Sequence, residues 1–243
     1  MNIALRLSYQ GTNFHGYQIQ PGLRTVEGEL KEAVDRTFLQ DIKLYSAGRT
    51  DRGVHAEGQV VNFQTKNSID IGNLPKVINY HLPEDISVTG AKYVAKDFHA
   101  RFSAQSKDYR YYIYNEKYPN ALYRHRAYHF PHPLDVKAME KALNLLIGEH
   151  DFKSFMGRHA IVKDTIRRIY SIEVYRQGSF IIFDFNGRSF LKNMIRIMVG
   201  TAVEIGRGHW EISHMKEGLE GRHRKYVGPT APASGLYLMK IHY

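Results

Sequence analysis

The sequence contains no cysteine. It can therefore form no disulfide, supply no thiol nucleophile and build no cysteine-based zinc site. Long apolar runs are also missing, because no stretch approaches the roughly 18 apolar residues of a membrane-spanning helix. The N-terminal residues lack the charged region and apolar region of a signal peptide. We therefore expect a cytoplasmic protein that does not use a membrane.

Signatures of bound nucleotides and metals are absent as well. The sequence has neither a GxxxxGK[ST] loop nor a GxGxxG loop, so no nucleotide cofactor is predicted. His125, His129 and His132 have the spacing of metal ligands, but Pro131 and Pro133 interrupt the segment and no carboxylate set accompanies it. A two-metal nuclease would need several converging carboxylates. We expect no metal and no organic cofactor.

Acidic residues are outnumbered. Lysine and arginine total 34 against 24 aspartate and glutamate residues, which gives a formal net charge of +10. The basic residues are spread along the chain rather than gathered in a tail. Cations distributed over a folded surface attract polyanions, so nucleic acid is the natural partner class. A membrane surface, a small phosphorylated ligand or simply a basic protein without such a partner are the alternatives that composition leaves open.

Strand and helix patterns alternate along the chain and predict an α/β (α+β) fold with mainly antiparallel sheets flanked by helices. The predicted strands are residues 3–9, 59–64, 86–94, 109–114, a hairpin within 165–185 that turns at Gln177 and Gly178, and 235–243. The predicted helices are residues 26–38 after a Thr25 cap, 73–81, a helix from 136 after an Asp135 cap, 190–205 and 211–219. A polar segment at 103–107 suggests two domains, 1–104 and 105–243.

The stretch GRTDRGVH places one carboxylate between two guanidinium groups. Asp51 has Arg49 and Arg52 on either side, and Gly48 and Gly53 permit tight backbone geometry around it. The two arginines are expected to lower the pKa of the Asp51 carboxyl and keep it ionised. Such a carboxylate can act as a nucleophile or a base. A structural ion pair within a turn is the alternative, and the loop alone does not decide between them.

A second candidate lies in the apolar segment FLKNMIRIMVGTAVEI. Its apolar stripe comprises Leu191, Ile195, Met198, Ala202 and Ile205. Arg196 lies close to this stripe and shares a face with Asn193 and Gly200, where the glycine allows another group to approach closely. Placing the charge of an arginine in apolar surroundings costs free energy unless the guanidinium binds a carboxylate or a phosphate. The alternative is a surface arginine that extends its charge to solvent. If Asp51 is instead the partner of Arg196, both halves of the chain contribute to one site.

A third candidate is the segment RFSAQSKDYRYYIYN. On a strand, Tyr109 and Tyr111 point to one face, and Arg110 and Tyr112 point to the other. Aromatic side chains interleaved with Lys107 and Arg110 suit stacking on bases beside contacts to phosphates. The alternative is that these tyrosines serve the sheet, since tyrosine is common in strands.

These residues resemble those of a known family. GRTDRGVHAEGQVVNF resembles the signature loop, GRTDxGVH, of the tRNA pseudouridine synthase A family. SYQGTNFHGYQIQ with TVEGEL resembles the N-terminal strand, loop and helix of that family, and DFHARFSAQSKDYRYYIYN resembles its central motif. DFKSFM, FLKNMIRIMVG and APASGLYL resemble its later motifs in the same order. The resemblance covers nearly the whole chain.

The resemblance implies a role for each candidate residue. Asp51 matches the catalytic aspartate, Tyr109 the tyrosine that stacks on the target base, and Arg196 the arginine that pairs with the aspartate. Arg49 and Arg52 are assigned to substrate binding. The resemblance also implies a pseudouridine synthase fold with two domains around a central basic cleft, a homodimer, and a reaction without metal or cofactor. Its substrate would be tRNA, at uridines 38, 39 and 40 of the anticodon arm.

Four positions depart from the family pattern. Tyr17 stands where tryptophan is usual, Gln10 where aspartate is common, Gly28 where a stronger helix former is usual, and Arg52 where a small residue is frequent. None of them removes a catalytic group, so they bear on RNA docking and the choice of site more than on chemistry. A non-catalytic tRNA-binding protein or chaperone that keeps the fold is the alternative function.

Overall fold

The computed structural model describes residues 1–67, 69–158, 162 and 164–243. The chain forms two compact units, Met1–Gln105 with Tyr237–Tyr243, and Ser106–Leu236. Within the described residues, every helix is too short or too polar to cross a membrane.

The sheet of the first unit has the strand order β4–β1–β3–β10, and β2 pairs with β3. Its strands are β1 (Asn2–Tyr9), β2 (Tyr45–Ser46), β3 (His55–Gln64), β4 (Ile86–Val94) and the last strand of the chain, β10 (Leu236–His242). Its helices are α1 (Val26–Phe38) and α2 (Leu74–His81). All pairs are antiparallel except β3 with β10, which is parallel. The strand alternation predicted for the N-terminus is confirmed, because Ile3, Leu5 and Leu7 are fully buried while Arg6 is exposed.

Helix α1 begins as its sequence predicts. The Thr25 hydroxyl accepts a hydrogen bond from the backbone N–H of Gly28 at 3.2 Å, which satisfies a donor of the first turn. The buried face is the predicted one: Val26, Leu30, Ala33, Val34 and Phe38. A Cβ at position 28 would lie 3.0 Å from the Thr25 hydroxyl oxygen, tighter than most such contacts. Gly28, one of the departures from the family pattern, therefore leaves room for the cap.

The sheet of the second unit has the order β5–β9–β8–β7, and β6 pairs with β5. Its strands are β5 (Ser106–Tyr114), β6 (Tyr128–His129), β7 (Gly148–Asp151), β8 (Ile166–Gln177) and β9 (Phe180–Gly187). Its helices are α3 (Val136–Asn144), α4 (Met194–Gly206) and α5 (Ser213–Glu220). Helix α3 packs against both β8 and α4. The predicted β8–β9 hairpin is confirmed, and its turn uses Gly178 at φ +57°.

The predicted fold class is confirmed, since the strand pairs within each unit are mainly antiparallel and are accompanied by helices. One prediction about α4 was wrong. The helix begins at Met194 rather than at residue 190, because Asn193 adopts φ +59° and interrupts the helical geometry. The predicted stripe is confirmed as buried, and the burial extends to the other faces of the helix: all residues of α4 are buried except Arg196 and Glu204. The division into domains 1–104 and 105–243 stays a prediction, and in the structure the last strand lies beside β3.

Candidate active site

Asp51 lies in a tight loop between β2 and β3. The loop closes where the Ala47 N–H donates to the Val60 carbonyl at 2.9 Å, beside the paired strands. A turn follows, in which the Val54 N–H donates to the Asp51 carbonyl at 3.1 Å and Gly53 has φ +79°. This left-handed conformation favours glycine. Asp51 is half-buried by this arrangement.

Two buried side chains of the sheet hold the loop. The hydroxyls of Tyr9 and Thr50 share a buried hydrogen bond of 2.8 Å. The Gln59 side-chain amide donates to the Gly48 carbonyl at 2.8 Å, and Gln59 is itself fully buried. Burial raises the pKa of Tyr9 to about 12, so its hydroxyl keeps its proton near neutral pH. Because buried hydrogen bonds are strengthened by low local polarity, these two contacts fix the backbone on both sides of Arg49.

The segment that follows β1 packs against the same loop. The Tyr17 N–H donates to the Thr50 carbonyl at 3.0 Å. Gly16 has φ +93°, and a Cβ there would lie 3.1 Å from the Thr50 carbonyl oxygen. A Cβ at Gly11 would clash with the Val54 carbonyl. Both glycines are therefore needed for the close approach of this segment to the loop.

The departures from the family pattern have distinct positions. Tyr17 is only 1% exposed, and burial raises its pKa well above the ordinary value, so it belongs to the support of the loop. The Gln10 N–H donates to the Asp85 carbonyl at 2.9 Å, next to the start of β4. Arg52 is exposed, as is Arg49. Both arginines therefore present their charge to solvent at the rim of the Asp51 loop.

In the second unit, Tyr109 lies on β5 and is 9% exposed. Its ring meets the ring of Phe190 edge-on, with centroids 5.2 Å apart. The predicted alternation is confirmed, because Tyr109 and Tyr111 are buried while Arg110 on the other face is half-buried. Arg110 makes a bidentate ion pair with Asp184 at 2.6 and 2.8 Å, which raises the pKa of the arginine. The guanidinium of Arg110 is therefore held within the sheet by Asp184, and its contact with phosphate stays a prediction.

Arg196 lies in the first turn of α4, in the second unit. Its Nε donates to the Ala231 carbonyl at 2.7 Å, and its Nη1 donates to the Asn193 side-chain oxygen at 2.9 Å. The Ala231 N–H donates back to the Arg196 carbonyl at 3.0 Å. The close approach expected at Gly200 is confirmed, since a Cβ there would clash with the Pro229 carbonyl. Two hydrogen bonds at different nitrogens orient the half-buried guanidinium, so Arg196 is not a side chain that merely extends into solvent.

Each unit thus holds its own candidate residues in place through contacts within that unit. The first unit holds a carboxylate, Asp51, in a braced loop, and the second unit holds an oriented guanidinium, Arg196, and a packed aromatic ring, Tyr109. The pairing of Asp51 with Arg196 stays a prediction. Sequence reasoning missed the bracing contacts of Tyr9 and Gln59, which are separated from the loop along the chain. The nearest available signal was the pair Gly11 and Gly16, which mark the close approach of the neighbouring segment to the loop.

The histidine segment has its own contacts. His129 hydrogen-bonds through Nε2 with the Glu116 carbonyl at 2.8 Å, and its ring lies near that of Tyr114. Over the described part of the chain, no three histidine or carboxylate side chains are arranged to hold a metal ion.

The Tyr9 contact predicts a stability effect. Tyr9→Phe removes one hydroxyl and leaves the buried Thr50 hydroxyl without this partner, so we expect the free energy of unfolding to fall by about 1–3 kcal/mol. Tyr93→Phe is the matched control, because Tyr93 is 44% exposed and donates to the Ile69 carbonyl at the surface; its effect is expected within about 0.5 kcal/mol. Urea unfolding followed by circular dichroism measures both. Equal effects of the two substitutions would contradict the bracing role of Tyr9.

Comparison with known proteins connects this geometry to a family. The model of a family described as tRNA pseudouridine synthase matches residues 7–103 and 142–243. These ranges include the Asp51 loop, its bracing residues and Arg196, whereas Tyr109 lies between them. A structure of a Cbf5–Nop10–Gar1 complex is similar with a TM-score of 0.35 and 12% identity, over 92% of this chain and 69% of that chain, a likeness too low to support an argument.

Curated relatives match over nearly the full chain. "tRNA pseudouridine synthase A" from Anoxybacillus flavithermus is 45% identical over 99% of this chain and 98% of that protein. Proteins of the same name from Geobacillus sp. (strain WCH70) and Bacillus subtilis (strain 168) are each 43% identical. They cover 99% and 100% of this chain, and 98% and 99% of their own lengths.

Proposed function

The chain belongs to the tRNA pseudouridine synthase family, and from this premise we propose that it converts uridine to pseudouridine in tRNA. Membership makes it an isomerase. The observation that carries the proposal is the family match across both units, which includes the braced loop around Asp51. The resemblance of its motifs implies that the reaction proceeds without metal or cofactor.

The reaction rearranges one nucleotide. The glycosidic bond between N1 and C1′ breaks, the uracil turns, and a bond forms between C5 and C1′, while the hydrogen at C5 leaves as a proton and N1 gains one. We assign the nucleophile to the Asp51 carboxylate, which attacks either C1′ of the ribose or C6 of the uracil. The hydrogen bonds to Thr50 and Gly48 support this assignment, because a positioned nucleophile reacts faster than a mobile one.

Arg196 and Tyr109 are assigned complementary roles. Arg196 pairs with Asp51 and favours its ionised form; the two bonds that orient the guanidinium in its own unit support this role. Tyr109 receives the uracil after it leaves the base stack, and the edge-on contact with Phe190 holds the receiving ring in place. Arg49 and Arg52, both exposed, contact the RNA backbone beside the target nucleotide.

The resemblance of the motifs to the tRNA pseudouridine synthase A family supports a finer proposal. The substrate is the anticodon arm of tRNA, modified at uridines 38, 39 and 40, and the active protein is a cytoplasmic homodimer. The formal net charge of +10 agrees with a large polyanionic substrate.

One assay separates the enzyme from a chaperone that keeps the fold. Unmodified tRNA labelled with tritium at C5 of uridine is incubated with the protein, and released tritium is counted. An enzyme releases tritium because C5 loses its hydrogen, whereas a protein that only binds tRNA releases none. Mapping pseudouridine in tRNA from cells with and without the protein then tests positions 38, 39 and 40; modification elsewhere would contradict the proposed site.

The proposed role of the exposed arginines predicts a change in salt dependence. Each neutralised phosphate contributes a slope of roughly −0.7 to −0.9 in log K against log salt concentration. We expect Arg49→Gln with Arg52→Gln to make the slope less steep by about one to two. The control is Arg36→Gln, which removes one exposed charge that pairs with Glu32 on α1. Filter binding of tRNA across a salt series measures the slopes, and an unchanged slope for the double variant would contradict these phosphate contacts.

A further inference from the structure

Three aromatic rings of the first unit form a continuous series at its surface. The ring of His99 lies between those of Tyr45 and Phe102, with centroids 4.9 Å from the first and 4.4 Å from the second. The rings are tilted by 54° and 43°. We call these three residues the aromatic series. Phe102, at one end, is 76% exposed.

A cation lies over the ring at each end of the aromatic series. The Lys43 Nζ is 5.4 Å from the centroid of Tyr45, and the Arg101 Cζ is 5.7 Å from the centroid of Phe102. Both cations are exposed. Single exposed apolar residues are ordinary on protein surfaces. A series of ring faces with cations at both ends is instead the chemistry that binds single-stranded nucleic acid, because bases stack on rings and phosphates pair with cations.

The backbone that carries the aromatic series is held rigidly. The Ala100 N–H donates to the buried Asn62 side-chain oxygen at 2.8 Å, and the Ala100 carbonyl accepts from the Tyr243 hydroxyl at 2.9 Å. The buried Asn2 amide donates to the Phe98 carbonyl at 2.9 Å. Because the backbone is already ordered, binding at the exposed ring loses little conformational entropy. Little of the binding free energy is therefore offset by ordering of the segment.

The aromatic series is close to the Asp51 loop but separate from it. Tyr45 opens β2, and this strand leads directly into the loop, six residues before Asp51. Six residues of fully extended chain span about 20 Å at most, which limits the distance between the Cα atoms of Tyr45 and Asp51. A nucleic acid held at Asp51 therefore has neighbouring nucleotides within reach of the aromatic series.

We propose that the aromatic series is a second RNA-binding site, on which a base outside the target uridine stacks against Phe102. Arg101 and Lys43 contact the phosphates beside that base. The ligand is an unpaired nucleotide of the substrate RNA, so the inference rests on the proposed function. Charge supports RNA rather than a second copy of the chain as the occupant, because both terminal positions are cationic and Asp97 is the only carboxylate among residues 93–103.

The experiment measures the affinity of three variants for an unmodified tRNA transcript by filter binding. Phe102→Ala removes the ring, and we expect Kd to rise about tenfold or more, as for the loss of one stacked base. Phe102→Tyr keeps the ring and is expected within about twofold of wild type. Tyr80→Ala is the matched control, since Tyr80 is 86% exposed on α2 of the same unit. Circular dichroism confirms that each variant has folded.

The outcomes separate this inference from the proposed function. If wild-type protein releases tritium but Phe102→Ala raises Kd by less than threefold relative to Tyr80→Ala, the second site is wrong while the function stands. A Phe102→Tyr variant that binds as weakly as Phe102→Ala would exclude stacking. A Phe102→Ala variant that changes the oligomeric state in light scattering, with tRNA affinity per subunit unchanged, would assign the series to a contact between copies and overturn the proposal.

Discussion

Replacing Asp51 with asparagine is expected to reduce pseudouridine formation at least about a thousandfold while leaving tRNA affinity within about twofold of wild type. Asparagine has nearly the same shape as aspartate, so the hydrogen bonds that brace Thr50 and Gly48 should persist. In the proposed mechanism Asp51 is the nucleophile, a role that an amide cannot fill, so we expect the covalent step to be lost. Affinity survives because contacts to phosphates supply most of the binding.

Tritium release and filter binding, on the same preparation, measure the two quantities separately. Asp41→Asn is the control, because the Asp41 side chain is 92% exposed and forms an ion pair with Lys31 at the surface. This control should keep full activity. Turnover by Asp51→Asn above about 5% of wild type would remove Asp51 from the role of nucleophile.

Replacing Arg196 with lysine is expected to lower kcat about a hundredfold, although the positive charge is kept. Lysine has one nitrogen and cannot reproduce the separate bonds that Nε makes to Ala231 and Nη1 makes to Asn193. Without these bonds the charge is no longer oriented, and an oriented charge is what stabilises a reacting carboxylate. We expect KM to change much less than kcat, because the proposed role of Arg196 concerns the Asp51 carboxylate rather than RNA affinity.

The matched control is Arg188→Lys, since Arg188 is exposed in the same unit. Full activity of Arg196→Lys would show that charge alone suffices, and full activity of Arg196→Leu would overturn the pairing with Asp51. Arg196→Leu in an Asp51→Asn background tests the pair directly: partners in one interaction show non-additive effects on residual turnover, whereas independent residues show additive ones.

The sequence by itself determined the features that depend on local patterns. The Thr25 cap and the buried face of α1 follow from the hydroxyl and from helical spacing. The bounds of β4, Ile86–Val94, agree with the prediction, in a segment that contains the β-branched residues Ile86, Val88, Thr89 and Val94. The family resemblance, carried by GRTDRGVH and the motifs after it, was readable before any coordinates because a motif is recognised from residue identity and spacing alone.

The tertiary structure alone decided the features that depend on contacts between distant residues. Strands β2, β6 and β7 have only two to four residues and carry no readable period. The start of α4 depends on the left-handed backbone of Asn193. The pairing of β10 with β3 brings Tyr237 beside His55, two residues that are far apart along the chain. Folding also brings together side chains that are distant in sequence. It forms the hydrogen bonds of Tyr9 and Gln59 to the Asp51 loop and the ring contact of His99 with Tyr45. Local propensity describes each segment separately, and it contains no information about which segments then share a hydrogen bond or a ring contact.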